Sequence, residues 1–326
     1  MSSASWRRTR SWFDGRSASL AESMGARKAS LIRPYLELVR LPAVFTAPAD
    51  VLCGAVLVAG GTPSWSIAGA VVSSACIYCA GMAANDVFDA EVDARERPKR
   101  PLPSGRVSRR QAWTLILALQ VIAVLVALSL GMNAAFAAAA TIAATYTYNA
   151  SLKSTWAGPL AMGACRYLNA LLGMVAVSDR SPWDLPGTVL CVPLFTLTFV
   201  AALTTVSRFE AHGGELRRLR LALGAMVLCA ALPAAAIWSS VFTTVLKEPV
   251  FGVATLLPVV FVGRAAISAV KTGAASDIRG AVMAGIFAIA MVNGVFAAAA
   301  GAWPVALLIV ALLVPGRVVG KWFYAT

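Results

Sequence analysis

The chain alternates long apolar runs with short polar interruptions. Ten runs stand out, near 42–60, 66–84, 112–131, 133–149, 158–177, 188–206, 219–239, 250–270, 281–299 and 303–318. Each approaches the ~20 residues that a helix needs to cross the hydrocarbon core of a bilayer. Backbone N–H and C=O groups in lipid must find partners within the chain, so such runs form helices. They are too long and too uniformly apolar for the alternating strands of a membrane barrel. The pattern predicts an all-α integral membrane protein, a bundle of nine or ten transmembrane helices. The weak boundary of the last run separates the two counts.

Composition agrees. Apolar residues make up 59% of the 326 residues and charged residues 13%, with a mean hydropathy of +0.75. A water-soluble domain carries about twice that share of charge, and a disordered chain has the opposite bias. The net charge of +13 changes the picture only once it is placed. Residues 1–41 hold eight Lys or Arg and residues 85–111 hold seven. Lys153, Arg208, Arg217, Arg218, Arg220, Lys271, Arg279, Arg317 and Lys321 follow even-numbered runs. The opposite loops hold Arg180 and Lys247, so the split is 24 to 2. This is the charge asymmetry of a multi-pass protein of the cell membrane, with the N-terminus and the even-numbered exits in the cytoplasm. The surplus is topology, which removes nucleic acid as a partner.

Residues 1–30 read as a basic cytoplasmic tail with a short amphipathic helix opened by the capping box Ser19-Leu-Ala-Glu22. No signal peptide is expected, because residues 1–19 lack a following apolar core. Residues 31–326 read as one transmembrane domain. The Cys76/Cys79 pair lies inside an apolar run and reads as packing thiols, since a redox pair needs a polar, exposed setting. His212 is the single histidine, which excludes a multi-histidine metal site.

Six of the 15 acidic residues fall at two places. The first is Asn85-Asp86-Val87-Phe88-Asp89-Ala90-Glu91-Val92-Asp93. If the second helix continues through it, Asp86, Asp89 and Asp93 share one face. Like charges so placed repel unless water or a cation intervenes. Mg²⁺ is the natural cation, because it takes oxygen ligands and bridges carboxylates to phosphates. The basic, proline-rich stretch 95–106 follows directly, and its Arg97 and Arg100 can fork onto phosphate oxygens. The second place is Arg208-Phe209-Glu210-Ala211-His212-Gly213-Gly214-Glu215, after the sixth run. Lys153 exits the fourth run behind Tyr148 on the same side, so three exits meet at one cytoplasmic mouth. Deeper lie Asp50, about 14 Å into the first helix at 1.5 Å per residue, and Arg166 with Asn169 in the fifth. Intramembrane charges usually face the bundle interior or a wet cavity, so these groups either line a cavity or pair structurally.

The run N-D-x-x-D-x-x-x-D followed by R-P-L-P-S-G resembles the first signature of the UbiA superfamily of intramembrane prenyltransferases. Asn85, Asp86, Asp89, Asp93, Arg100, Pro101, Leu102, Ser104 and Gly105 carry the match, which extends over roughly 31–320. The resemblance implies Mg²⁺-dependent transfer of a prenyl group from an isoprenyl diphosphate to an aromatic, quinone-precursor or other small polar acceptor. It implies metal ligation by Asp86, Asp89 and Asp93, joined by Glu210 and Glu215 of the second motif. It implies diphosphate contacts from Lys153 with Arg97 or Arg100. Taken with the charge placement, the candidate catalytic residues are Asp86, Asp89, Asp93, Glu210 and Lys153, and the candidate substrate contacts are Asn85, Arg97, Arg100, Tyr148, Arg166, Asn169 and Asp50. Glu210 or Asp50 is the candidate proton acceptor. The family's second motif is commonly D-x-x-x-D; here two glutamates stand five apart with glycines between, which marks a divergent subgroup. No obligatory protein partner is evident. The alternative reading is a transporter or lipid carrier that uses the same acidic clusters without diphosphate chemistry. Against it, both acidic motifs sit at one mouth rather than at the midplane expected of carriers.

Overall fold

A computed structural model describes residues 32–60, 64–178, 180–212 and 215–324. The basic tail and its expected amphipathic helix lie outside the described residues. Within them the chain is helical, without strands. A short helix α1 (32–38) leads into α2 (Leu41–Val44) and α3 (Ala47–Ala59). Then follow α4 (Trp65–Phe88), α5 (Ala90–Glu96), α6 (Arg109–Ser129), α7 (Met132–Thr147) and α8 (Gly158–Ser178). The second half comprises α9 (Gly187–His212), α10 (Leu216–Trp238), α11 (Leu256–Thr272), α12 (Ala275–Ala299), α13 (Trp303–Ala311) and α14 (Leu313–Tyr324). Eight stretches are long and apolar enough to cross a membrane, and Trp303–Val318 is a shorter apolar one. The fourth expected run is a 16-residue helix extended by a π-helical turn, Tyr148–Leu152.

Local chemistry sets the ends. Pro42 and Pro48 sit in the first turns of α2 and α3, where a missing N–H costs nothing. Ser108 and Gln111 form a reciprocal capping box at the start of α6. Pro98 ends α5. The expected single helix through Asp93 is interrupted: α4 stops at Phe88, and Asp89 has left helical geometry (φ −86°, ψ 2°) before α5 begins. Asp86 and Asp93 therefore face one partner and Asp89 another.

Helices α3 and α12 are the most enclosed spans, whereas α6 and much of α11 face outward. The closest approach joins α3 to α8. A Cβ on Gly54 would lie 2.1 Å from the Ala170 carbonyl oxygen, and one on Gly173 would lie 2.1 Å from that of Val51. Small residues let helix backbones touch where lipid supplies no hydrophobic force between helices. This contact brings Asp50 of α3 beside Arg166 and Asn169 of α8. Around it packs a core that includes Val51, Val56, Leu172, Met174, Val292 and Phe296. A second core joins α9 to α12 through Phe199, Leu223, Met226 and Val262.

Candidate active site

The mouth is built where α4 ends. Asp86, in its last turn, is buried and receives Arg40 Nη2 at 3.0 Å and Arg100 Nη1 at 3.3 Å. Asp93 of α5 is buried too. The same Arg100 Nη1 reaches it at 2.5 Å, and Arg97 approaches at 3.8 Å. One guanidinium thus bridges two carboxylates. The loop behind Arg100 is tied down: Ser104 Oγ donates to the Arg100 carbonyl (2.7 Å), Arg106 donates to that of Lys99 (2.7 Å), and Arg106 Nη1 lies 2.7 Å from Glu37. Arg106, which the sequence leaves between topological charge and the basic loop of the site, is a loop staple.

Asp89, turned away by the break between α4 and α5, is paired with Lys153. Lys153 follows the π turn, a geometry that often marks functional sites. Tyr148 and Asn149 of that turn are buried. Asn85 Nδ2 donates to Asn149 Oδ1 at 3.0 Å. A half-turn of the Asn85 amide lets it bridge Asp89 (3.3 Å) and Lys153 (2.9 Å) instead. Three aspartates therefore meet Arg40, Arg100 and Lys153, and the charges balance.

The second acidic motif joins this mouth less closely than expected. Glu210, at the end of α9, accepts from Arg279 Nε at 2.8 Å. Glu215 is exposed and pairs with Arg218 one turn on (3.4 Å). Among the described residues, no three acidic, histidine or cysteine side chains gather as a metal-holding group. Where the sequence reading brings Asp86, Asp89, Asp93, Glu210 and Glu215 to one metal, each carboxylate here lies against a neighbouring cation, which relieves their mutual repulsion.

A second polar constellation lies deeper. Asp50 is fully enclosed. Its Oδ1 receives Arg166 Nη2 (3.1 Å) and Asn293 Nδ2 (2.9 Å). Its Oδ2 receives Asn169 Nδ2 (3.0 Å) and lies 2.8 Å from Arg166 Nε. Thr196 of α9 donates to Asn293 Oδ1 (3.3 Å), and Arg166 also reaches the Thr46 carbonyl (2.6 Å). The cluster knits α3, α8, α9 and α12. Three hydrogen bonds and the Arg166 ion pair converge on the Asp50 carboxylate, and Arg166 Nε, close as it is, makes no hydrogen bond of its own.

The candidate residues thus separate into Asn85, Asp86, Asp89, Asp93, Arg97, Arg100, Tyr148 and Lys153 at the mouth, and Asp50, Arg166 and Asn169 below it. Arg40, Asn293 and Thr196 are members that reading the sequence alone does not assign, as is Arg208, whose Nη2 donates to the Lys153 carbonyl at 2.9 Å. For Asn293 a signal exists, a lone amide in an apolar run; for Arg208 none does, because it looks like any other loop cation.

The model of the UbiA prenyltransferase family matches residues 49–212, half of the chain. The chain is 33% identical over 185 residues to a digeranylgeranylglyceryl phosphate synthase of Ignicoccus hospitalis, covering 56% of this chain and 59% of that one. It is 28% identical over 196 residues to the bacteriochlorophyll synthase 33 kDa chain of Rhodobacter capsulatus, covering 56% and 63% respectively. It thus spans less than two thirds of either relative's length. A solved UbiA homologue from Archaeoglobus fulgidus, bound to GPP and Mg²⁺, shares the fold at a TM-score of 0.55 and 17% identity, covering 81% of this chain and 99% of that one. The signature Asn85–Asp93 lies inside the matched region, and the helices around it adopt a fold already seen with that signature's family. This chain belongs to the UbiA prenyltransferase family, an integral-membrane family.

Proposed function

We propose that this protein transfers a prenyl group from an isoprenyl diphosphate to a small polar acceptor and releases diphosphate at the mouth. The observation that carries the reading is the pairing of Asp86, Asp89 and Asp93 with Arg40, Arg100 and Lys153. A diphosphate needs cations and a divalent metal needs carboxylates, and both sets stand here in mutual contact. Entry of a metal-bound diphosphate lets the pairs exchange partners. Arg40, Arg100 and Lys153 turn to phosphate oxygens, and the aspartates keep the positive charge. Carboxylate oxygens at an aqueous mouth are the hard donors that Mg²⁺ prefers. Asp86, Asp89 and Asp93 are the residues that would hold Mg²⁺, which when bound would supply positive charge against the leaving diphosphate.

The chain's own residues supply the rest. Arg100 and Lys153 hold the diphosphate so that the allylic C–O bond points into the bundle. Buried Tyr148 offers a ring face to the positive charge left on the prenyl carbon. The surrounding apolar helices exclude water from that cation. Glu210, whose carboxylate keeps partial access to solvent, takes the acceptor's proton; the full enclosure of Asp50 and its three hydrogen bonds favour Glu210 for the task. The names of the relatives direct the acceptor choice to a glyceryl phosphate or a bacteriochlorophyll precursor.

The mouth faces the cytoplasm in this reading. The 24-to-2 split of basic residues supports that orientation. The test uses the purified full chain with Mg²⁺, isoprenyl diphosphates of graded length and an acceptor panel, read by product mass and diphosphate release. Product is expected with Mg²⁺ and is lost in EDTA and in Asp89→Asn. Full turnover in EDTA or in that variant would overturn the proposal.

A further inference from the structure

We infer that Arg208 is a positioning residue for Lys153, and that Gly158 exists to make room for it. The inference rests on the reading of Lys153 as a diphosphate contact. Arg208 stands near the end of α9, half-buried, and its Nη2 donates to two main-chain carbonyls across the bundle: Lys153 at 2.9 Å and Thr155 at 2.5 Å. These carbonyls lie just past the π turn, and that of Thr155 also accepts from the Gly158 N–H at 3.2 Å. A guanidinium laid across them ties the end of the turn to α9.

The slot that admits the guanidinium is made by a missing side chain. A Cβ on Gly158 would lie 2.5 Å from Arg208 Nη2, 2.6 Å from the Leu152 carbonyl oxygen and 2.9 Å from that of Lys153. The guanidinium could swing away from such a Cβ, giving up its clamp, but the two carbonyl oxygens are main-chain atoms that cannot. Gly158 opens α8, so the cross-link is embedded between α8, α9 and the π turn.

The π turn has its own task. Its wider winding places Asn149 against Asn85 and Lys153 against Asp89. A π turn is uncommon and short-lived without tertiary support, and Arg208 supplies that support at its C-terminal end. It clamps the main chain of the residue whose ammonium group meets the mouth. It also anchors the part of α9 that presents Glu210 two residues later. The two acidic motifs of the chain are thus joined through a main-chain clamp rather than through a shared ligand.

The charge of Arg208 alone would serve topology equally well as lysine. The clamp needs the length and breadth of a guanidinium, so Arg208→Lys separates the two roles. Binding of inorganic pyrophosphate with Mg²⁺ to the detergent-solubilised full chain is measured by titration calorimetry in wild type, Arg208→Lys, Lys153→Ala and the double variant, alongside melting temperatures. Arg208→Lys is expected to melt near wild type and to weaken pyrophosphate about 10-fold when Lys153 is present, but less than about 2-fold in the Lys153→Ala background, as coupled contacts do. Gly158→Ala is expected to reproduce the single-variant loss. Prenyl transfer should show a raised KM for the diphosphate with kcat lowered less. Equal losses in both backgrounds, wild-type binding by Arg208→Lys, or unfolding of both Arg208→Lys and Gly158→Ala would overturn the inference. A different pattern, in which Lys153→Ala itself binds pyrophosphate as wild type does, overturns the reading of Lys153 and the inference with it.

Discussion

Arg40 reaches Asp86 at 3.0 Å from a backbone held in the left-handed region, at φ 50° and ψ 52°. It is the one non-glycine residue with positive φ among those described. A left-handed backbone costs an L residue ~1–2 kcal/mol, and such strain tends to persist where function requires the side chain. The break between α1 and α2 that it creates aims the guanidinium at the mouth. Arg40→Ala and Arg40→Gly should both lower kcat/KM for the isoprenyl diphosphate by roughly 10²-fold, the scale for loss of one charge-stabilising donor. Arg40→Gly should nevertheless unfold later than Arg40→Ala, because glycine accepts that backbone. Thermal unfolding in detergent distinguishes the pair; equal melting points would remove strain from the explanation.

The deep cluster predicts a stability effect of the opposite kind. Asp50→Ala leaves Arg166 charged and enclosed without its counter-ion. Breaking such a buried pair costs about 3–5 kcal/mol. Asp50→Leu combined with Arg166→Met removes both charges and should recover much of the loss, because a buried ion pair stabilises little relative to well-packed apolar groups. If the single variant melts like wild type, the cluster does not hold the helices.

The two glutamates of the second motif should behave differently. Glu215 is exposed and held only by a neighbour one turn away, a contact worth little at a surface. Glu215→Gln is therefore expected to keep Mg²⁺-dependent turnover within about twofold of wild type. Glu210→Gln should slow it by about 10²-fold, the lower range for loss of a general base. Initial rates at saturating Mg²⁺ give both numbers, and a larger loss in Glu215→Gln would restore that residue to the metal site.

The tight pairing of α3 with α8 is open to a direct comparison. Gly173→Val drives methyl groups into the Val51 carbonyl and should cost ~1–3 kcal/mol or more. Gly224→Val meets open space and should be tolerated. Monomer recovery after size-exclusion chromatography reports the contrast.

Much of the molecule is visible along the chain. The apolar runs near 66–84, 158–177 and 188–206 became α4, α8 and α9 because lipid leaves a backbone no alternative to the helix. The meeting of Lys153 with the aspartate run followed from counting which exits share a side. What stayed hidden depends on angles and reach. Nothing in the spacing of Asp86, Asp89 and Asp93 announces that the helix breaks at Asp89. Arg208 hides among topological cations, and its slot exists only where Gly158 meets the π turn. The pairing of Glu215 with Arg218 depends on where α10 begins, which the motif does not show.

The enclosed carboxylate of Asp50 has a consequence for how the chain is made. Its donors Arg166 and Asn293 stand 116 and 243 residues downstream. The first span enters the bilayer with an acid whose last partner is synthesised only near the end of translation. Until then the carboxylate must be protonated, solvated by a local water defect, or sheltered by the insertion machinery. A ribosome stalled before Asn293 leaves a product with an open seam along its most buried helix, a mark that membrane quality control can read.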